Sequence, residues 1–194
     1  GSPVARGERR RSVRAALGLG ALCIIPLAGC AHGQPLPPGV KAGAWTDLLG
    51  PSAAAHWRGY RVDSLPSAWA FDAATGVLTR TRPGGDIVTR QEYADFELEV
   101  EWRVGAKGNS GIFYHATEAT AVIYENAPEM QILDNAGHND GRNTLTSAGA
   151  NYGLDQPVRD VTKPLGEWNK ARIVVIGSHV EHWLNDVKLL EYEL

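Results

Sequence analysis

Cysteine is scarce in this chain of 194 residues, which contains only Cys23 and Cys30. Cys23 lies inside an apolar N-terminal run, and Cys30 follows shortly after that run. If the N-terminal segment is removed and Cys30 is modified, no thiol remains for a disulfide, a zinc–thiolate site or a cysteine nucleophile. The fold must therefore be stabilised by its hydrophobic core.

Several familiar catalytic and structural patterns are also absent from the sequence. It contains no GxSxG nucleophile elbow, no P-loop and no HExxH motif, so serine-hydrolase, nucleotide-binding and zincin functions lack support. No long helical pattern and no internal repeat is apparent. These absences favour a sheet-rich domain with a different chemistry.

An excess of positive charge is absent as well, because the net charge of the chain is −3. Residues 1–29 contain five arginines and one glutamate, so their removal would change the net charge from −3 to −7. An acidic domain is a poor candidate for nucleic-acid binding. It is compatible with a small neutral ligand or with a cation-assisted site.

Residues 1–29 resemble a bacterial lipoprotein signal peptide. Four arginines between positions 9 and 14 precede the apolar run Ala15–Pro26, which is shorter than the roughly 20 residues of a membrane span. The sequence LAGC at positions 27–30 resembles a lipobox, in which Cys30 carries a diacylglyceryl group after cleavage. An ordinary signal peptide with a chance cysteine is the alternative.

The segment 30–43 is rich in proline and glycine and predicts a tether between the lipid and the domain. We therefore expect an extracytoplasmic protein that is anchored by lipid to a bacterial membrane. Ala31 after the modified cysteine favours the outer membrane, with the domain in or next to the periplasm.

Short runs of alternating hydrophobicity predict an antiparallel β fold. The clearest run is Asp95–Val104, in which apolar residues from Phe96 to Trp102 alternate with charged residues that we expect on a solvated face. Further strands are predicted at Gly76–Arg80, Asp86–Arg90, Gly111–His115, Glu129–Asp134, Ala171–Ile176, His179–Leu184 and Val187–Glu193. Many short strands between Gly and Asn turns are typical of a sandwich or jelly roll.

The connections carry two further expectations. Asn185-Asp186 between the last two strands suits a tight turn with positive φ. Residues 135–167 predict long loops with at most one short strand, and loops of that length in a compact domain are usually functional. The last predicted strand reaches the end of the sequence, so we expect a further strand beyond it.

The strand at 129–134 carries the most informative polar residues. Glu129 and Gln131 point to one face of the strand, and Met130 and Ile132 point to the other. This pattern predicts the floor of a polar groove. The oxygens of Glu129 and Gln131 could hold a divalent metal cation, or Glu129 could be a general base. A solvated strand face is the alternative.

Three histidines are candidates for an acid, a base or a ligand. His182 shares its strand face with Val180 and Leu184, so a buried structural histidine is slightly favoured by the periodicity. His115 shares its face with Phe113, which suggests a wall against a sugar ring. His138 lies in a loop, where a capping role is at least as well supported as catalysis.

Three other polar residues are candidates for substrate binding. Asn109 either caps a turn or binds sugar hydroxyls. Arg90 either pairs with Glu92 at the surface or stabilises an enolate, since a guanidinium stays charged. Tyr152 in the GANYG segment is expected to line the groove.

Seven sequence blocks in the range 45–194 resemble, in this order, the 3-keto-disaccharide hydrolase domain family. They are WRGYRVDSLPSAW, GGDIVTRQEYADFELEVEWR, GNSGIFYH, PEMQILDNAGH, TSAGANYG, GEWNKARIVV and HVEHWLN. Asp186 departs from the glycine that is more usual in that last turn. The resemblance implies an all-β, antiparallel, concanavalin-like jelly-roll sandwich over residues 44–194, and members of the family typically continue beyond this point.

The resemblance also implies an activity, which is the cleavage of glycosides whose C3 carries a ketone. The ketone acidifies the C2 proton, so a base can remove it and the C1 group can leave. The expected substrate is an oxidised 3-keto sugar, supplied by a sugar oxidoreductase. The alternatives from other classes are a carbohydrate-binding module without chemistry and a structural lipoprotein domain.

Overall fold

The computed structural model describes residues 38, 41, 43–50 and 52–194. Within these residues the chain forms one helical turn, ten strands and three 3₁₀ turns, and every strand pair is antiparallel. The elements are α1 (Ala53–His56), β1 (Trp57–Gly59), β2 (Trp69–Asp72), β3 (Val77–Arg80), β4 (Ile87–Thr89), β5 (Phe96–Trp102), β6 (Asn109–Phe113), β7 (Glu129–Leu133), β8 (Asn169–Ile176), β9 (His179–Leu184) and β10 (Val187–Glu193), with 3₁₀ turns at Ile123–Glu125, Asn139–Arg142 and Thr144–Thr146. The predicted signal peptide and Cys30 lie outside the described residues.

The largest sheet has the strand order β10-β9-β8-β5. Its inner face is formed by alternate residues of these strands, and Val100, Ile173 and Leu184 on that face are buried in the main hydrophobic core. The same core contains Met130 and Ile132 from β7. Two antiparallel layers thus share one core, as the predicted sandwich requires.

The outer face of this sheet differs from the solvated face that was expected. Glu99 is only 7% exposed, and its Oε1 lies 3.4 Å from the Nζ of Lys170. Arg172, which is 4% exposed, donates through Nε to the carboxylate of Glu97. Cross-strand charge pairing and long side chains lying over the sheet explain why these groups are covered.

The turn between β9 and β10 has the predicted geometry. Asn185 and Asp186 have φ values of 49° and 64°, which fit a two-residue turn that matches the twist of the strands. The Asn185 side chain also accepts from the amide of Lys170 at 2.9 Å and donates to the carbonyl of Val161 at 2.8 Å. The turn is therefore tied to β8 as well as to its own hairpin.

Most predicted strands are present, with small changes at their ends. The strand predicted at Gly111–His115 begins earlier, at Asn109, and ends at Phe113. His115 lies outside it, with a left-handed φ of 51°. The pattern missed β1 and β2, although it predicted β3 and β4, which are equally short. Among the described residues, no helix has both the length and the hydropathy needed to cross a membrane.

Strand β7 lies between two partners. On one edge it pairs with β6 in a register that sets Gly111 opposite Gln131 and Phe113 opposite Glu129. On the other edge the segment 149–152 bonds to it, through Gly149 N to Gln131 O at 2.8 Å and Tyr152 N to Glu129 O at 3.0 Å. The loop region after β7 is therefore held against the strand that carries Glu129.

Candidate functional site

Glu129 stands at the start of β7, and its carboxylate lies directly over Gly111 of β6. A Cβ at position 111 would collide with this carboxylate, so glycine is required there. Burial, together with the nearby negative charges of Asp86 and Asp140, raises the pKa of Glu129 to about 7. A carboxyl group with such a pKa is suited to proton transfer at neutral pH.

Asp140 forms hydrogen bonds with the polar residues beside Glu129. Its Oδ2 accepts a hydrogen bond from Asn109 Nδ2 and another from the Tyr152 hydroxyl, each at 3.3 Å. The Asp140 amide donates to His138 Nδ1 at 3.1 Å, which caps the 3₁₀ turn Asn139–Arg142. Because Nδ1 accepts this bond, the neutral ring of His138 carries its proton on Nε2.

The charges of Asp140 and Glu129 also act on the hydroxyl of Tyr152. Burial raises the pKa of Tyr152, and the negative charge of Asp140 and its hydrogen bond raise it further, with a smaller effect from Glu129. The ring is 40% exposed, so one side of it remains open to a ligand. The predicted residues Glu129, Asn109, His138 and Tyr152 thus lie around Asp140, and we call this set of five residues the groove.

Gln131 is not arranged as a metal ligand beside Glu129. It is 1% exposed, its Nε2 donates to the Thr146 carbonyl at 3.3 Å and its Oε1 accepts from the Ile132 amide at 3.1 Å. A buried amide needs such partners. The side chain therefore holds the Thr144–Thr146 turn against β7, and a cation at Glu129 would need other ligands.

One set of three clustered potential metal ligands occurs within the part of the chain that the structure describes. It comprises His179, Glu181 and Glu191, on the outer face of the four-stranded sheet. The Nζ of Lys188 lies 2.6 Å from Glu191 Oε2 and 3.4 Å from Glu181 Oε1. The lysine ammonium already neutralises these carboxylates, and the set is separate from the groove.

His182 does not join the groove either. It is fully buried on the inner face of β9, where Nδ1 contacts the Gly149 carbonyl at 3.0 Å and Nε2 contacts the Tyr114 hydroxyl at 2.7 Å. Burial lowers its pKa to about 4. The assignment of His182 as a group that touches substrate is therefore corrected: the alternative of a core histidine with both nitrogens satisfied describes its position.

Two other predicted residues are bonded elsewhere. His115 is exposed and its Nε2 contacts the Ala94 carbonyl at 3.1 Å. Arg90 donates to the Ala54 carbonyl at 3.1 Å and to the Asp63 carbonyl at 2.6 Å, so it braces a loop and does not pair with a surface carboxylate. Across the described residues, no hydrogen bond or ion pair connects either side chain to Glu129 or Asp140.

Two residues of the site were missed by the sequence patterns. Asp140 stands in the loop NAGHNDG, where an acid next to Gly and Asn is more often part of a turn. Gly111 has no side chain and needed the strand register before its contact with Glu129 could be recognised. The glycine inside a predicted strand was the available signal, since such a residue often marks a close approach.

The family model of the 3-keto-alpha-glucoside-1,2-lyase-like domain matches residues 44–194. Since this is well over half of the chain, the protein belongs to that family. This agrees with the family resemblance of the seven blocks.

A curated relative, the 3-keto-disaccharide hydrolase of Bacteroides thetaiotaomicron, is 39% identical over 158 residues. The match covers 71% of this chain and 54% of that relative, so the chain spans about half of its length.

Solved structures of candidate glycosyl hydrolases from Parabacteroides distasonis share the fold. One is 28% identical with a TM-score of 0.63 and covers 72% of this chain and 68% of its own. A second is 30% identical with a TM-score of 0.59, covering 71% and 72%. A third, at 23% identity and a TM-score of 0.60, covers 88% and 81% and supports the fold alone.

Proposed function

We propose that this chain cleaves 3-keto-glycosides or 3-keto-disaccharides, with Glu129 as the base that removes the C2 proton. The observation that carries the proposal is the half-buried Glu129 carboxyl with a pKa of about 7, beside the carboxylates of Asp86 and Asp140. Family membership and the name of the curated relative support the substrate class. A sugar hydrolase of this kind needs an oxidised sugar, so an oxidoreductase acting at C3 would have to supply it.

The reaction would proceed by an elimination followed by the addition of water. Glu129 takes the proton from C2, and the electron pair forms the enolate of the C3 ketone. The ketone then reforms as a C1–C2 double bond is made and the C1–oxygen bond breaks, and the departing oxygen takes a proton. Addition of water at C1, with return of a proton to C2, completes hydrolysis; without that addition the enzyme is a lyase.

The groove supplies a donor for the charge that develops on the C3 oxygen. One N–H of the Asn109 amide donates to Asp140, which holds the side chain in place and leaves its second N–H for the C3 oxygen. The single hydrogen of the Tyr152 hydroxyl goes to Asp140, so Tyr152 would have to exchange that bond before it could donate to substrate. His138, with its proton on Nε2, is a candidate hydrogen-bond donor to the departing oxygen, and the proton that Glu129 took from C2 can be returned to that oxygen.

The decisive experiment measures release of a chromogenic aglycone from a 3-keto-glucoside by the wild type and by Glu129→Gln. We expect the variant to lose at least about 10²-fold in kcat, because loss of a general base typically costs 10²–10⁴-fold. Glu167→Gln, at an exposed glutamate, is the matched control and should remain active. A fully active Glu129→Gln protein would remove Glu129 from the base role.

A chelator added to the same assay tests the predicted divalent cation. Release that stops with chelator and returns with added cation would support a metal-assisted reaction, with ligands other than Gln131 beside Glu129. Release that is indifferent to chelator would leave Glu129 acting as a base alone. Saturable sugar binding with no release from the wild type would favour the carbohydrate-binding module.

We further propose that the domain is anchored outside the cytoplasm by a lipid on Cys30, which the sequence LAGC at positions 27–30 supports. In a bacterial host, the full chain should partition with the membrane fraction, whereas Cys30→Ser should not carry the lipid and should lose that partitioning. Equal membrane association of both proteins would contradict the lipid anchor.

A further inference from the structure

A hydrogen-bonded chain of three aromatic side chains begins in the core with the buried His182 and Tyr114 and ends at the half-buried Tyr192. The Tyr114 hydroxyl is 2.7 Å from His182 Nε2 and 2.5 Å from the Tyr192 hydroxyl. The imidazole meets both tyrosine rings edge-on, with centroid distances of 5.7 Å and 6.2 Å. Asp155 is the carboxylate whose charge acts on all three groups.

The carbonyl of Gly149 determines which group donates and which accepts in each hydrogen bond of this chain. A carbonyl only accepts, so His182 Nδ1 must donate to it, and the contact distance is 3.0 Å. In the neutral ring Nε2 is then an acceptor, so the Tyr114 hydroxyl donates to it. The Tyr114 oxygen in turn accepts from the Tyr192 hydroxyl. Burial disfavours a charged imidazole, which agrees with this neutral arrangement.

Two hydrogen bonds and a backbone angle fix the position of Gly149. Its carbonyl accepts from His182, its amide donates to Gln131 O at 2.8 Å, and its φ of 87° is one that glycine adopts without strain. A Cβ there would also collide with Leu189. Gly149 is therefore the fixed start of the segment that runs along β7.

The same segment ends in the groove. Three residues after Gly149, the amide of Tyr152 donates to the Glu129 carbonyl at 3.0 Å, and the Tyr152 hydroxyl donates to Asp140. The position of the Tyr152 ring therefore depends on where the segment 149–152 begins. The buried imidazole is the side chain that fixes that beginning from the opposite sheet.

We propose that His182 is a positioning residue for the groove, which holds the Gly149 carbonyl and thereby keeps Tyr152 on Asp140 beside Glu129. The catalytic part of this inference rests on the proposed function. Its structural part, the Nδ1–H tautomer and the restraint of the segment 149–152, does not.

Two variants of similar volume separate this role from packing. His182→Asn places an amide nitrogen near the position of Nδ1, so it can still donate to Gly149. His182→Gln places its amide near Nε2, so it can satisfy Tyr114 but leaves the Gly149 carbonyl without its donor. We expect the Asn variant to keep most of kcat and the Gln variant to lose about tenfold or more, with KM changed less, because small displacements of a catalytic group are costly. Equal losses in both variants, or the reverse order, would overturn the proposal.

A measurement without substrate keeps the inference separate from the proposed function. Nitrogen-15 NMR of the wild-type imidazole should show Nδ1 protonated and Nε2 unprotonated, and the Tyr152 amide should exchange faster with solvent in His182→Gln than in His182→Asn. The opposite tautomer or equal exchange would refute the positioning role. If these results hold while the wild type releases no aglycone, the proposed reaction fails and the positioning of Tyr152 stands.

Discussion

At the scale of single residues, the groove depends on the carboxylate of Glu129 and on the absence of a side chain at Gly111. Glu129 takes its unusual pKa from burial, and that burial exists because Gly111 has no side chain to displace it. The two residues are diagonal neighbours on the paired strands β6 and β7, and the Glu129 carboxylate lies over Gly111, so a change at either residue should affect the other. Two predictions concern them.

Gly111→Ala should abolish or strongly reduce turnover while leaving the protein folded. The new Cβ would displace the Glu129 carboxylate, and a shift of about 1 Å in a catalytic group can cost roughly 10²-fold in rate. Gly85→Ala is the matched control, because a Cβ at that position meets nothing within 4 Å. Aglycone release should fall only in the first variant; equal rates in both would contradict the contact.

Glu129→Gln should stabilise the folded protein at neutral and alkaline pH. The pKa of Glu129 is about 7 when folded and about 4.5 in the unfolded chain, so the folded state binds more protons between these values. Stability contributed by this group therefore falls as pH rises from about 4.5 to 7. Urea unfolding at pH 5 and pH 8 should show a gain of about 1–3 kcal/mol for the variant, confined to the higher pH. A gain of the same size at pH 5 would point to another cause.

At the scale of elements, β7 organises the site because it is bonded on both edges. The β6 edge supplies Gly111 and Asn109, and the other edge supplies Tyr152 through the segment that follows Gly149. Strand pairing fixes which residues are neighbours, because a shift of the register by one residue would turn each side chain to the other face. The site is therefore specified by register as much as by residue type.

The hairpin of β9 and β10 offers a test of local turn chemistry. Asp186 adopts a φ of 64°, which costs a non-glycine residue energy that glycine avoids. Asp186→Gly should therefore raise stability by about 0.5–1 kcal/mol in thermal or urea unfolding. The lost contact of Asp186 with Lys170, at 3.3 Å and largely exposed, is worth little.

Asp186→Ala is the control for that change. It loses the same contact with Lys170 but keeps a side chain at positive φ, so it should be no more stable than the wild type. A stabilisation of equal size in both variants would show that the φ angle is not the cause.

At the scale of the whole molecule, the core and the groove share their support. Met130 and Ile132 fill the core on one side of β7, while Glu129 faces the groove at its end. On the opposite sheet His182 stands in the core and reaches Gly149. The core and the segment that carries Tyr152 are thereby connected through the buried hydrogen bond of His182 with Gly149.

Local patterns predicted the strands well wherever alternation ran for five residues or more, because a half-buried strand imposes a period of two on its sequence. Phe96–Trp102, Glu129–Leu133 and the last hairpin follow this rule. The strands β1 and β2 were missed because three or four residues are too few to establish an alternation, whereas the Pro83-Gly84-Gly85 turn marked the ends of the equally short β3 and β4. His115 was predicted to end the strand that in fact ends at Phe113, since its left-handed φ has no sequence signature outside glycine and asparagine.

The sequence by itself determined the fold class and the strand that carries Glu129, because alternation and turn residues act locally, and the seven sequence blocks indicated the family by resemblance. Only the tertiary structure decided the partners of that strand. Asp140, Gly111 and Tyr152 meet Glu129 through strand register and through a loop that returns to β7. The tertiary structure also decided that His182 lies in the core and that the Gln131 side chain hydrogen-bonds to backbone groups. Burial of a polar side chain depends on which groups surround it in three dimensions.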